Sequence, residues 1–473
     1  MVCARSARCN DVGGPASVIY RRGSRSSTSL EALVDTATPL DPSVLAGSLV
    51  WAPPNTPGRS LYRGIDATHV TVPPDALPGR PPGLSDAPAF LRAALVRAVE
   101  NALAGARRVA VMTGGGIDSS VLLALATRWA KRTGGSAFAV SLDFAGGGDD
   151  RPHLHALERH LGCEVIRIHP EDAVGRIPLL AQGADAAPIW HPTGLMEIEM
   201  LARARANGAE RVLCGGGADE LFGGSPQALA EIALRGHPIR AVQAAQRLAG
   251  FDRPRLPSWS WIARPLIGRM LPARVRGWRE RRSASYRPAA WAGPALRAFH
   301  DEQRRIASIN ARRPPRTGGE RFAAIRDSPY RMAFASGRQQ DERAGDIDIW
   351  WPYLDLSLAA AVATLPPDYL LCGDRWRGLL RASIRELVPE SLREREDKAS
   401  FEPALRRFIE AAGGFDSLRP LASMPTLGSL HLVDRQAFGS AFERLVASPE
   451  DGEAWASLWP PLAIEAFLRG RAS

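Results

Sequence analysis

The chain has 473 residues, of which 45% are hydrophobic, and its formal net charge is +10. This length is enough for roughly two or three domains, and the apolar fraction is ordinary for a globular protein. No apolar run reaches the roughly 20 residues of a membrane span, and the N-terminal stretch is rich in Arg and Ser without an apolar core. We therefore expect neither a transmembrane segment nor a secretory signal, and a cytoplasmic location follows as the default.

The positive charge and the cysteines restrict the partners and cofactors. The charge excess is mostly arginine, which permits an anionic ligand such as a nucleotide, but nucleic acid is not expected as a partner on charge alone. The five cysteines are scattered and include no Cys-x-x-Cys pair. This pattern predicts neither a zinc site nor a disulfide framework.

The N-terminal region, residues 1–84, has the weakest pattern. Its Arg21–Ser29 stretch is typical of a solvated loop or a frayed terminus. Short apolar clusters between Ser48 and Asp75 predict a few strands. The Pro/Gly-rich segment Pro78–Gly83 then predicts a linker. We expect a small β-rich region here and a separate main domain over residues 85–473.

The main domain begins with strands and helices that alternate. This alternation predicts an α/β fold with a parallel sheet and helices on both faces, in which the carboxyl ends of the strands meet at one edge. The predicted strands are Val109–Met112, Ala137–Asp143, Glu164–His169 and Arg211–Cys214, and the predicted helices are Pro88–Ala104, Ser119–Arg132, His153–Leu161 and Leu195–Asn207.

A glycine-rich turn follows the first of these strands. Glycines there let the backbone turn sharply and approach a ligand closely, and the N–H groups at the start of the next helix attract anions. Asp118 lies in the same turn, where a carboxylate beside a phosphate is expected to share a divalent cation with it. The candidate phosphate-binding residues are Thr113, Gly114, Gly115, Gly116, Asp118, Ser119 and Ser120.

A second glycine turn, Gly215–Gly224, follows the fourth strand and repeats the order of strand, glycine, acid and helix. We expect Gly217 to contact phosphate, and Asp219 to share one Mg²⁺ with Asp118. The alternative is that the acids of this turn only stabilise the start of a helix.

Together the two turns resemble the synthetase domain of the asparagine synthetase family, which includes β-lactam synthetase and lasso-peptide macrolactam cyclases. Gly-Gly-Ile-Asp-Ser-Ser is similar to the pyrophosphate loop of ATP pyrophosphatases, and Gly-Ala-Asp-Glu-Leu-Phe-Gly-Gly is similar to the family's second turn. The resemblance spans about residues 85–410 and implies an adenine nucleotide α-hydrolase-like fold. Its further motifs are Trp351–Asp355, Leu379–Ala382, Val388–Glu390 and Arg395–Phe401.

The resemblance implies an ATP- and Mg²⁺-dependent reaction. A carboxylate attacks the α-phosphate of ATP to give an acyl-adenylate and pyrophosphate, and an amine then displaces AMP. Lys398 corresponds to a late lysine of the family that stabilises anionic oxygens, and the backbone near Ser141 corresponds to the adenine-binding segment. Without the resemblance, Lys398 would be interpreted as a solvated charge.

Several positions depart from the family pattern. Gly114 replaces the usual loop serine, and Gly216 replaces an acid or a tyrosine. Asp348 stands where asparagine synthetase has a glutamate, and we expect it to accept a proton from the attacking amine. Residue 2 is Val rather than the Cys that a glutaminase domain requires, and the N-terminal region resembles only a reduced glutaminase domain. We therefore expect no glutamine hydrolysis.

These features predict an AMP-forming carbon–nitrogen ligase that uses a substrate amine, of the lasso-peptide cyclase type or a related natural-product amide synthetase. The expected partners are a small-molecule or peptide substrate, including a precursor peptide and its leader protease. The alternatives are an ammonia-dependent asparagine synthetase, a tRNA-modifying ATP pyrophosphatase and a non-catalytic nucleotide-binding remnant. The Trp/Arg-rich segment 257–291 is expected either to dock a peptide or to cover the site with amphipathic helices. The remaining C-terminal part is expected to be helical.

Overall fold

We analysed a computed structural model of the chain. The structure describes residues 17–35, 37–49, 58–70, 82–146, 149–181, 187–189, 191–222, 226–234, 236–252, 267, 271–282, 288–309, 315, 317–328, 345–395 and 400–472. The predicted linker at residues 78–81 and the candidate Lys398 lie outside these ranges.

A small antiparallel sheet forms the N-terminal region. Strands β1 (Ser17–Arg22) and β2 (Arg25–Ser27) form a hairpin, and β3 (Asp66–Val70) pairs with the other side of β1 after helix α1 (Pro42–Ser48). The predicted loop over Arg21–Ser29 is therefore wrong, because its polar residues occupy a hairpin whose side chains are largely exposed. Polar composition alone does not distinguish such a hairpin from a loop.

The main domain is built around a five-stranded parallel sheet with the order β6-β5-β4-β7-β8. The α/β prediction is confirmed, and every predicted strand and helix is present within one or two residues of its expected ends. The fifth strand, β8, was not predicted as a strand. These elements are α2 (Ala87–Leu103), β4 (Arg108–Met112), α3 (Ile117–Thr133), β5 (Ser136–Leu142), α4 (Arg151–Leu161), β6 (Val165–Ile168), α5 (Gly194–Ala206), β7 (Arg211–Leu213) and, further along the chain, β8 (Asp348–Trp350).

Two hydrophobic clusters cover the two faces of this sheet. On the central strand β4, Val109 and Val111 pack with α2 and α3, whereas Ala110 packs with α5 and the C-terminal helices. This alternation is the period of two that a strand imposes on its side chains. Because both faces are buried, β4 needs an almost continuous apolar sequence.

The rest of the described chain is mainly helical, as predicted. Trp291 is 3% exposed and packs against Phe438, so it belongs to the core, whereas Trp278 is 54% exposed beneath the guanidinium of Arg282. Residues 257–262 of the Trp/Arg-rich segment lie outside the described residues. These helices are α6 (Ala218–Phe222), α7 (Pro226–Leu234), α8 (Pro238–Asp252), α9 (Ala273–Arg281), α10 (Pro294–Ile309), α11 (Gly318–Arg326), α12 (Leu356–Thr364), α13 (Gly378–Ser383), α14 (Glu390–Arg393), α15 (Glu402–Ala411), α16 (Arg419–Ala422), α17 (Pro425–Ser429), α18 (Arg435–Ala447) and α19 (Gly452–Ala472).

The N-terminal sheet shares a core with the C-terminal helices. Its apolar residues, such as Val18, belong to the same cluster as those of α19, and Arg471 of α19 contacts the Tyr62 ring and hydroxyl. Within the described ranges, no single helix is long and apolar enough to cross a membrane. One pair bent by 86°, Leu356–Thr364 with Pro367–Gly373, passes that test jointly.

Candidate active site

The first glycine turn joins β4 to α3 at the carboxyl edge of the sheet. Gly115 has a φ of +87°, which favours glycine, and Gly116 is the residue immediately before α3. Thr113 is buried, and its Oγ1 shares a hydrogen bond of 2.9 Å with Ser119 Oγ. This bond closes the turn across its two ends.

The start of α3 presents backbone N–H groups at this turn. Ser120 Oγ donates to the Gly116 carbonyl over 2.7 Å, so its hydroxyl stabilises the turn. Helix α3 has 17 residues, and its N-terminal dipole and first unpaired N–H groups make this edge attractive to an anion. The phosphate site at this helix N-terminus stays a prediction, and the Ser120 hydroxyl already has a structural partner.

The second glycine turn lies directly against the first. A Cβ added to Gly215 would be 3.4 Å from the backbone nitrogen of Ser119 and 3.7 Å from Cβ of Asp118. Gly217 has a φ of +92°, and a Cβ there would be 2.6 Å from Leu354 Cδ2, so no larger residue fits without a shift. The two turns, distant in sequence, therefore form one continuous surface.

Arg377 connects the two acidic turns. Its Nη1 donates to Asp118 Oδ2 over 2.7 Å, and its Nη2 forms an ion pair with Asp219 Oδ1. The side chains of Arg377 and Asp118 are 18% and 20% exposed, whereas Asp219 is 55% exposed. One planar guanidinium thus bridges both carboxylates, which places them on the same side of the sheet edge.

Tyr353 supports Asp118 from below. Its hydroxyl donates to the Asp118 carbonyl over 2.8 Å, and its ring meets Phe222 of α6 edge-on at 5.7 Å. Burial and the nearby charge of Asp118 raise the pKa of Tyr353 well above its usual value of 10.0, so the phenol stays a hydrogen-bond donor. The Trp351–Asp355 segment therefore supports both turns, since Leu354 lies under Gly217.

The two aspartates suit a magnesium ion that is bound together with a nucleotide. Mg²⁺ is commonly held by one or two protein carboxylates plus substrate phosphates and water. Among the described residues, no group of three or more His, Cys, Asp or Glu side chains is arranged to hold a metal without such help. The guanidinium of Arg377 lies between the carboxylates and shows that their shared space accepts a positive charge.

The remaining predicted residues are placed differently. Ser141 is buried on β5, where its Oγ donates to the Leu142 carbonyl over 3.2 Å, so only its backbone is left for a nucleotide. Asp348 is exposed at the amino-terminal end of β8, opposite Arg211. The parallel register places Asp348 about 7 Å from the carboxyl end of β8, at about 3.3 Å per residue, and its expected role as the acceptor of the amine proton stays a prediction.

Sequence reasoning missed Arg377, Tyr353 and Arg395 as members of the site. Arg377 precedes the Leu379–Ala382 motif by two residues, and its position just before that motif was the available signal. Its φ of +56° is uncommon for a residue other than glycine and fits a residue held in place by its contacts.

Among curated proteins, no significant sequence match is found. The chain is similar in structure to "U34-tRNA thiolase NcsA from Methanococcus maripaludis with its [4Fe-4S] cluster", with 12% identity, a TM-score of 0.27 and coverage of 76% of this chain and 80% of that chain. A similarity at this TM-score carries no argument about function. A family model described as asparagine synthase matches residues 91–469, well over half of the sequence, and the chain therefore belongs to the asparagine synthase family.

Proposed function

We propose that this chain is an ATP- and Mg²⁺-dependent amide ligase that activates a carboxylate as an acyl-adenylate, with release of pyrophosphate, for attack by an amine. The observation that supports it best is the bridge from Arg377 to Asp118 and Asp219, because it unites two acidic turns at one helix N-terminus. Family membership supports the general class of ATP-dependent ligase.

Different residues are suited to bind the phosphates, the metal ion and the adenine. The N–H groups at the start of α3 and the guanidinium of Arg377 bind the pyrophosphate portion of ATP and stabilise its charge as the α-phosphate is attacked. Asp118 and Asp219 would hold a Mg²⁺ ion, which would supply charge neutralisation and polarisation at the phosphates. The β5 backbone near Ser141 lies beside the first turn, since Thr113 N donates to the Val140 carbonyl over 3.0 Å, and it is suited to the adenine.

The favoured subtype is a natural-product amide synthetase of the lasso-peptide cyclase type, in which the amine belongs to a substrate. Gly216, which stands where asparagine synthetase has an acid, supports a substrate other than aspartate. The exposed Trp278, with Arg282 at 4.3 Å from its ring, is a candidate contact for a peptide substrate.

Exchange of labelled pyrophosphate into ATP tests the proposal. Purified protein is incubated with MgATP and either aspartate or a peptide acid, and Asp118→Asn and Asp219→Asn are compared with wild type. We expect each variant to lower exchange at least about 100-fold, because metal-assisted charge stabilisation is worth several kcal/mol. Asp416→Asn, an exposed aspartate paired with Arg419, serves as the matched control and should retain exchange.

The choice of acid separates the alternatives. Exchange that requires a peptide acid supports the cyclase type, whereas exchange with aspartate and amide formation from ammonium supports an asparagine synthetase. ATP binding without any exchange across a panel of acids would instead indicate a nucleotide-binding remnant. Retention of full exchange by both aspartate variants would contradict the proposed site.

A further inference from the structure

Arg395 forms a buried ion pair beside the first glycine turn. Its Nη1 lies 2.5 Å from Asp150 Oδ1 and donates to the Gly115 carbonyl over 3.2 Å. The side chains of Arg395 and Asp150 are 5% and 13% exposed. An arginine from the C-terminal part of the sheet domain therefore holds both the turn and the residue that precedes α4.

Asp150 fills the space that a side chain at position 114 would need. A Cβ on Gly114 would lie 2.8 Å from Asp150 Oδ2, and a Cβ on Gly115 would lie 3.0 Å from the Asp150 carbonyl oxygen. Asp150 cannot swing aside cheaply, because Arg395 holds its other carboxylate oxygen. Position 114 therefore suits glycine, because the fixed Asp150 carboxylate occupies the space beside it.

Arg395 is itself held in place. Arg381 donates two hydrogen bonds to this segment, from Nη2 to the Arg395 carbonyl over 2.8 Å and from Nη1 to the Arg393 carbonyl. Arg381 lies on α13, one turn after Arg377. The arginine that bridges the aspartates therefore lies immediately before this short helix, and the arginine that fixes the backbone of Arg395 lies within it.

We infer that Asp150 and Arg395 are positioning residues that set the shape and the net charge of the pyrophosphate-binding turn without touching the nucleotide. Arg395 fixes the Gly115 carbonyl and neutralises a carboxylate that lies next to an anion site. Loss of Arg395 leaves Asp150 negative beside the bound phosphates, whereas loss of the Asp150 charge leaves a cation there. This inference rests on the proposed function, since it assumes that the turn binds pyrophosphate.

Because Arg395 and Asp150 carry opposite charges, a double-mutant cycle tests the inference. Binding of magnesium pyrophosphate and of AMP is measured by calorimetry on the full chain for wild type, Arg395→Met, Asp150→Asn and the double variant. We expect Arg395→Met to weaken pyrophosphate binding by about tenfold or more, because the negative charge of Asp150 then repels the phosphates, with AMP affinity changed by less than about twofold. The double variant should recover much of the loss, because it also removes the negative charge of Asp150.

A matched control and a second pair of variants keep the test decisive. Arg407→Met breaks another arginine–carboxylate pair, with Glu171, and should leave both affinities unchanged. Should Arg395→Met fail to fold, Gly114→Ser should weaken pyrophosphate binding in the wild-type background and much less in an Asp150→Ala background.

Three outcomes would overturn the inference. Equal weakening of AMP binding and pyrophosphate binding in Arg395→Met would show that Arg395 has a general structural role. An unchanged pyrophosphate affinity in this variant would show that Arg395 has no role in binding. A double variant no better than Arg395→Met would exclude the electrostatic part. Absence of MgATP and pyrophosphate binding by the wild type would instead overturn the proposed function, which distinguishes the two failures.

Discussion

Replacing Arg377 with Met removes a guanidinium that contacts both acidic turns. The pair with Asp118 is mostly buried, whereas Asp219 is 55% exposed and its pair is largely screened by solvent. A partly buried charge-assisted hydrogen bond contributes about 2 kcal/mol, and most of the loss therefore comes from Asp118. Without Mg²⁺, we expect Arg377→Met to lower the free energy of unfolding by about 2 kcal/mol.

The corresponding change in melting temperature is small but measurable. A chain of 473 residues has an unfolding entropy of about 1 kcal/mol/K, so the loss lowers the Tm by about 2 °C if unfolding is two-state. Thermal unfolding is followed by circular dichroism in EDTA and then with added Mg²⁺. Mg²⁺ should raise the Tm of Arg377→Met more than that of wild type, because the Arg377 guanidinium no longer competes with Mg²⁺ for the two carboxylates.

Two control variants sharpen this experiment. Arg375→Met removes a neighbouring guanidinium that pairs with Glu394, and it should show no increased response to Mg²⁺. Arg377→Lys keeps the charge but cannot bridge two carboxylates with a planar fork, so its response should lie between wild type and Arg377→Met. An identical Mg²⁺ response in wild type and Arg377→Met would refute the idea that Arg377 occupies the shared cation position.

Three further predictions concern single side chains. Tyr353→Phe deletes the hydrogen bond to the Asp118 carbonyl and should lower the free energy of unfolding by about 1 kcal/mol in urea titrations, while an unchanged value would show that this bond contributes nothing. Asp348→Asn should leave pyrophosphate exchange within about twofold of wild type because Asp348 lies away from the turns, and a lower rate of amide formation alone would identify it as the base for the amine. Burial lowers the pKa of His300 below its usual 6.5. The free energy of unfolding should therefore fall as the pH drops below about 6.5, and His300→Phe should make that fall shallower. Equal pH profiles of the two proteins in urea titrations would contradict this.

The fold was largely predictable because its signals are local. Apolar runs such as Val109–Met112 and the helical periodicity of Ala87–Leu103 are produced by burial on the sheet and helix faces, and they appear directly in the sequence. The hairpin from β1 to β2 was missed because its side chains are mostly polar and exposed. Strand β8 was missed because it begins with Asp348 and is followed closely by Pro352, and both residue types are depleted in strands.

The site was predictable only in part, because some of its residues act through long-range contacts. Asp118 and Asp219 could be paired from two similar turns and from the rule that parallel strands end at one edge. Arg377 and Arg395 could not, since their partners lie 259 and 245 residues away and no spacing pattern connects them. The position of Asp348 depended on the register of β8, which a resemblance in sequence does not reveal.

The most direct test is a crystal structure with a non-hydrolysable ATP analogue and Mn²⁺, which substitutes for Mg²⁺ and is located by its anomalous scattering. We expect the manganese peak to contact the carboxylates of both Asp118 and Asp219, with the triphosphate at the start of α3 and Arg377 turned toward it. A nucleotide bound elsewhere, or a manganese ion in contact with neither aspartate, would contradict the convergence of the two acidic turns on a single metal-bound triphosphate.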